Sequence, residues 1–355
     1  MRSVKCFTSF TFSYLSRALV LAKTLKLVHP DWEMWALITD KPPSGVDLSG
    51  ALREFSQVIY AHELGFENFD GWLFKHDVVE ASTAVKGQML RHLLLAGADF
   101  AVYLDPDIAV FHSLDSVLDR LQHASIVLTP HQTSPNRLPR DVRDNELVSL
   151  THGVFNLGFC AVANDVTGRA FADWWSERLY DACYADLVNG IFTDQKWCDL
   201  VPALFERVYV ERDPGCNVAS WNITTRRLEI TGEGNIRVNG HPLKFYHFTK
   251  VNSLGDYVTE KYAGENLEIM EIWNWYKRAI RDARVDGIPA GYWAYGAFDN
   301  GEKIPKPARE FFRDRVDLNE AFSNPFQTEG NSYYGWLQRH RSDLLVSDQR
   351  GFQPV

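Results

Sequence analysis

With 355 residues, 45% of them hydrophobic and 23% charged, the chain can bury a large core, as one large α/β domain with additions or as two domains. Its formal charge of −9 excludes the basic footprint that non-specific nucleic-acid binding needs. A phosphate-bearing ligand would then be met by a metal and by local Lys or Arg. Cys6, Cys160, Cys183, Cys198 and Cys216 form no C-x-x-C pair and read as reduced thiols. The N-terminus enters a strand directly and no run reaches membrane-spanning length, so a cytoplasmic protein is expected, with peripheral contact at the inner face of a membrane left open.

Residues 4–10 read as a first strand, leading through Thr8, Ser9 and Thr11 into a helix over 16–28 that stops near His29-Pro30. A second strand over 35–40 meets the turn-rich Lys41-Pro42-Pro43-Ser44-Gly45, and a short third strand covers 58–60. The spacing of Val79, Val85, Met89, Leu90, Leu93 and Leu94 predicts a helix over 78–95. The run Phe100-Ala101-Val102-Tyr103-Leu104-Asp105-Pro106-Asp107 then sets two carboxylates at the end of an apolar strand. Acids are costly in a buried strand unless a cation compensates them, and Pro106 has no N–H to continue the ladder. Asp105 and Asp107 together suit a hard divalent ion, Mg²⁺ or Mn²⁺, completed by substrate phosphates. The plainer reading is a turn that caps the next helix.

A strand over 125–129 and a polar loop to about residue 145 complete an alternation of strands and helices, which predicts a mostly parallel sheet with its ligands at the carboxyl ends of the strands. No G-x-G-x-x-G and no P-loop is present. Four later segments stand out: a strand over 152–162 interrupted by Asn156 and Gly158, the pair Asp194-Gln195 after a helix-like region, the polar stretch 214–222, and a strand over 243–250 that carries His247 and Lys250. Alone, these read as a bulge, a helix cap, a loop and a structural histidine. Past residue 261 come an aromatic amphipathic helix over 266–284, a Gly/Pro/aromatic region over 288–307, a helix over 308–316 and a polar tail. These define a C-terminal extension, 261–355, packed on a domain of residues 1–260.

In order, the D-x-D strand, F-N-x-G-F, D-Q and a strand-terminal His resemble the GT-A nucleotide-sugar glycosyltransferases over roughly residues 3–255. The set is most similar to the retaining, glycogenin-like family 8 branch, which includes bacterial lipopolysaccharide galactosyl- and glucosyltransferases. The resemblance implies a single Rossmann-like GT-A domain with a mostly parallel sheet, here extended by a mainly helical C-terminal part. It implies that Asp105, Asp107 and His247 hold Mn²⁺ or Mg²⁺, and that Thr8, Ser9, Lys86, Asn156 and Lys250 join the two aspartates in binding the donor. Asp194 and Gln195 would be the catalytic pair beside the anomeric carbon. The chain departs from the family after the histidine, where H-[FY]-x-G-x-x-K-P-W is replaced by His247-Phe248-Thr249-Lys250-Val251-Asn252-Ser253, which marks a divergent relative. The implied activity is transfer from a UDP-sugar to a hydroxyl of a glycan or lipid-linked acceptor, in bacterial surface polysaccharide or glycoconjugate synthesis. Retention is expected because Asp194-Gln195 offers no obvious general base. Two rivals are a non-catalytic nucleotide-sugar or glycan-binding protein on the same scaffold and a sugar nucleotidyltransferase. The second is disfavoured because residues 7–17 contain no glycine.

Overall fold

The computed structural model describes residues 2–346. β1 (Val4–Phe10) is buried at every position, so it must be covered on both faces. α1 (Leu15–Val28) packs Leu15, Ala18, Leu19, Leu21, Ala22 and Leu25 into one of those faces and ends at His29, before Pro30. β2 (Glu33–Ile38) and β3 (Gln57–Tyr60) follow, then α2 (Phe69–Phe74), α3 (Val78–Ala84), α4 (Lys86–Leu95) and β4 (Phe100–Leu104).

The helix expected over 78–95 is therefore two helices with a break at Val85. Asp77 and Glu80 form a reciprocal capping box at the start of α3. Near its end, Ser82 Oγ and Thr83 Oγ1 bond back to the carbonyls of Val78 and Val79 at 2.8 and 2.9 Å, a contact that weakens and bends helices. Beyond the break Gly87 lies against the helix 166–182: a Cβ there would stand 2.6 Å from the Ser176 Cα. Tertiary packing thus re-aims α4 and puts Lys86 in its first turn.

After β4 the chain turns at 105–107, and β5 (Ile108–Val110) leaves the main sheet. β6 (Ile126–Pro130), α5 (Val148–His152), β7 (Phe155–Ala163), α6 (Val166–Ala182) and β8 (Val208–Val210) complete the central layer. The seven-stranded sheet runs β8-β6-β7-β4-β1-β2-β3, and only the pairings made by β7 are antiparallel. The mostly parallel α/β architecture expected from the alternation is present. A second sheet of three strands joins β9 (Val218–Ala219), β10 (Phe245–His247) and β5.

α7 (Leu267–Asp282) buries Ile269, Ile272, Trp273, Tyr276 and Ile280, as its period requires, and packs them with Tyr246 and Phe248 beside the second sheet. α8 (Lys306–Arg313) and residues 295–337 share a core with α2, α4 and α6. The C-terminal part is mainly helical, and its polar tail contains a helix, Tyr333–His340, whose Tyr333 and Leu337 are buried there. Helix Val316–Ala321 is separate from α8, so the helix expected over 308–316 is shorter and starts earlier. The loop expected before residue 145 is helical over Pro139–Asp141 and continues as a π-helix over Val142–Leu147 into α5, so β7 starts at Phe155, not at residue 152. All five cysteines are buried and unpaired, Cys6 and Cys216 under one face of the sheet and Cys160, Cys183 and Cys198 under the other. Among the described residues no helix is long and apolar enough to cross a membrane.

Candidate functional site at the carboxyl edge of the sheet

Asp105 leaves β4 as its backbone N–H bonds the Gly158 carbonyl at 2.8 Å, and its own carbonyl accepts from Ile108 at 3.0 Å. This turn carries Asp107 across to the second sheet, where the Asp107 carbonyl accepts the Phe248 N–H, also at 2.8 Å. The strand switch thereby brings both acids to His247, which closes β10 some 140 residues later. His247 Nε2 lies 3.0 Å from Asp107 Oδ1 and 3.6 Å from Asp105 Oδ2. One ligand atom from each of the three residues lies within 4.8 Å of the others.

His247 is aimed from behind. Asn156 Oδ1 accepts from Gly158 N at 3.2 Å and from Asn217 Nδ2 at 3.1 Å, so it must also accept the Nδ1–H of His247 at 3.2 Å. That fixes the tautomer and turns Nε2 toward the acids. Gly158 leaves the ring its room, since a Cβ there would sit 2.5 Å from His247 Cε1. The Asn156 amide reaches His131 Nε2 at 3.3 Å, and Trp221 stands edge-on to His247 with ring centroids 5.2 Å apart. The polar stretch 214–222 is thus a buried support for the histidine through Asn217 and Trp221. Burial alone would raise the Asp107 pKa and lower that of His247, but their mutual attraction outweighs it: Asp107 is held below its ordinary value and His247 above. Two hard carboxylates and one imidazole nitrogen, converging on one point, fit a divalent cation.

A second cluster adjoins the first. Lys86, 2% exposed, donates to Asp194 Oδ2 at 2.8 Å, Asp105 Oδ1 at 3.1 Å and the Leu157 carbonyl at 3.2 Å, while its Nζ lies 4.2 Å from the Tyr103 ring centroid. Burial would lower the Lys86 pKa, yet the two carboxylates more than reverse it and keep the ammonium charged. Burial pushes Asp194 up, and Lys86 opposes it. Tyr103 OH also donates to Asp105, so that carboxylate links Lys86 to the three-residue cluster.

Gln195 lies beside the cluster, with Nε2 bonded to the His152 carbonyl at 3.0 Å. Ser9 Oγ is spent on the Ser82 carbonyl at 2.7 Å, and Thr8 Oγ1 is buried without a partner among the described residues. Lys250 is exposed three residues past His247, in a left-handed turn (φ 52°), and its side chain makes no ion pair among the described residues. Sequence reasoning missed Tyr14 and Arg17, at the start of α1. Arg17 lies 4.3 Å over the Tyr14 ring and helps to lower the Asp107 pKa, behind His247 in effect, while Asp107 and Asp105 add to the burial that raises Tyr14. Neither residue belongs to a recognisable motif, so only the fold reveals their place.

No family model matches the chain. The uncharacterized protein YfnF of Bacillus subtilis (strain 168) is 24% identical over 253 residues, which cover 70% of this chain and 82% of that protein. Similar solved structures include the galactosyltransferase LgtC in complex with donor and acceptor sugar analogues, at 14% identity over 77% of this chain and 99% of that one, with a TM-score of 0.42. Mouse xyloside xylosyltransferase 1, in its apo form, matches at 15% identity over 70% of this chain and 98% of that one, with a TM-score of 0.42. A glycosyltransferase involved in glycosylation of the major capsid of PBCV-1 matches at 10% identity over 74% of this chain and 99% of that one, with a TM-score of 0.40.

Proposed function

We propose that the protein is a metal-dependent GT-A glycosyltransferase that moves a sugar from a nucleoside diphosphate donor, a UDP-sugar, to a hydroxyl of a glycan or lipid-linked acceptor in bacterial surface polysaccharide or glycoconjugate synthesis. The observation that carries this reading is the convergence of Asp105, Asp107 and His247 on one point at the carboxyl end of β4. Mn²⁺ or Mg²⁺ held there would offset the negative charge that gathers on a departing diphosphate. Arg17, at the head of α1, and the exposed Lys250 would supply cations for the same diphosphate, and the nucleoside would lie beyond the end of β1, past the buried Thr8 and Ser9. Lys86 stays charged between Asp105 and Asp194 and, with all three of its N–H groups engaged, would hold both carboxylates in place beside the donor.

The engagement of Asp194 supports retention. Its Oδ2 takes the Lys86 bond and its Oδ1 the Thr193 hydroxyl at 3.2 Å, which makes it a poor general base. The bond from the anomeric carbon to the diphosphate oxygen then breaks as the acceptor oxygen bonds on the same face. The acceptor proton passes to the departing phosphate oxygen.

The test is a thermal-shift and hydrolysis screen of nucleoside diphosphates and their sugars, with Mn²⁺ and with a chelator. UDP should stabilise the protein only with metal, and one UDP-sugar should release UDP slowly. Asp107→Ala should cut that release at least ~100-fold while leaving the melting transition cooperative. An active Asp107→Ala enzyme, or no response to any nucleotide, would sink the reading.

A further inference from the structure

On the other side of β1, the same carboxyl edge carries a groove of about 710 Å³, within the roughly 300–1,000 Å³ typical of small-molecule sites. It opens where β2 and β3 end and is lined by Asp40, Lys41, Tyr60, Phe69, Asp70 and Tyr295, among others. β3 stands three strands from β4, so the groove lies about 14 Å along the edge from Asp105, at about 4.8 Å per strand. It belongs neither to the metal cluster nor to the Lys86 cluster.

The C-terminal part builds one wall. Trp293 Nε1 donates to the Thr39 carbonyl at 3.1 Å, Ala294 N to Asp40 Oδ1 at 2.8 Å, and Tyr292 OH to the Lys41 carbonyl at 3.1 Å. These bonds seat Tyr295 against the end of β2. Tyr60, His62, Phe69 and Tyr295 then form a continuous run of rings, with successive centroids 5.8, 6.0 and 6.1 Å apart. Lys41 Nζ sits 4.7 Å from the Tyr295 centroid.

The charges select the ligand. Both Asp40 oxygens are used by backbone N–H groups, those of Phe12, Lys41 and Ala294. That leaves one ammonium, Lys41, and one carboxylate, Asp70, neither of them in an ion pair among the described residues. With no arginine and no excess of positive charge, the groove does not suit a diphosphate. Aromatic faces with polar groups at their rim suit a ligand that alternates C–H faces and hydroxyls. We infer that this groove binds a neutral saccharide segment, packed against the rings of Tyr60, Phe69 and Tyr295, the last two set at a steep angle to each other, and hydrogen-bonded at its rim by Lys41 and Asp70. If the segment belongs to the acceptor, that link rests on the transferase reading, whereas the saccharide site itself does not.

Saturation-transfer NMR on the full chain, with a panel of neutral di- to tetrasaccharides of glucose, galactose, mannose and N-acetylglucosamine, tests it. At least one panel member should bind. Tyr60→Ala and Asp70→Ala should each weaken it at least tenfold, Asp107→Ala should leave it bound, and UDP should not compete. Asp70 is a half-buried residue in the first turn of a short helix and Tyr60 ends an edge strand, so the two variants should melt cooperatively. No binding from any panel member, binding that survives both groove substitutions, or displacement by UDP overturns the proposal. Saccharide binding with no response to any nucleotide would overturn the transferase reading and leave the groove standing.

Discussion

Beyond β4, on the β7 side, the carboxyl edge of the sheet holds paired titratable groups in the interior: Lys86, Asp107, Asp194 and His247 are all at most 8% exposed. Beyond β2 and β3 it is roofed by rings, where Phe74 meets Phe312, Phe326 and Tyr333 at centroid distances of 5.2, 5.0 and 5.5 Å. Each interior ion needs a partner of fixed geometry, because removing one partner leaves an uncompensated charge. A ring cluster spreads its stabilisation over many weak contacts, none of which depends on a single charged partner. Even the ring side contains one buried cation, Arg309. It donates to the carbonyls of Phe74, His76 and Tyr295 and lies against the Phe74 and Trp293 rings, 5.2 and 4.9 Å from their centroids. Burial brings its pKa down to about 10. The contrast is between paired interior charges and packing that holds a scaffold.

The sharpest way to break this contrast is Lys86→Met, which leaves Asp105 and Asp194 facing each other without their cation. Urea unfolding at pH 7 should show a loss of about 3–5 kcal/mol. A loss under ~1 kcal/mol would mean that the cluster is not under the electrostatic tension described. Asn156→Ala comes next. It removes the acceptor that fixes the His247 tautomer, and Mn²⁺ affinity measured by calorimetry should fall ~10–100-fold. Unchanged affinity would reduce Asn156 to packing.

The smallest effect belongs to the ring side. Burial drives His76 down to about 3, far below its ordinary value near 6.5. A neutral imidazole in the fold and a protonated one in the unfolded chain give stability that is full above pH 6.5 and is lost as pH falls toward the folded pKa. The melting temperature of His76→Phe should therefore fall less steeply than that of the native chain between pH 6.5 and 4.5. Parallel curves would remove His76 from the acid response.

Much of the Asp105–Asp107–His247 cluster was legible because acids closing an apolar strand contradict burial, and because His247 closes another strand. Lys86 was reached only through a resemblance, and Asp194 stood out only as a polar residue after a helix-like region, but the fold joins both to Asp105 through the Lys86 ammonium. Asn217 was visible as a polar residue and nothing more, since its contact with Asn156 spans sixty-one positions. The break at Val85 and the π-helix over Val142–Leu147 were hidden because local propensity says nothing of the helix or loop packed alongside. The helix Tyr333–His340 was passed over because its buried face, Tyr333 and Leu337, is diluted by polar neighbours in the tail.

The five buried thiols follow the division of the core. Burial pushes the Cys160 thiol up to about 12 and the others higher still, so none is a useful nucleophile while the fold is closed. A thiol reagent would therefore read opening events and not surface chemistry, in the way amide exchange does. Two labelling classes, Cys6 with Cys216 and Cys160 with Cys183 and Cys198, would time the release of the two faces of the sheet separately. The chain thus carries a built-in clock for which layer of its core lets go first.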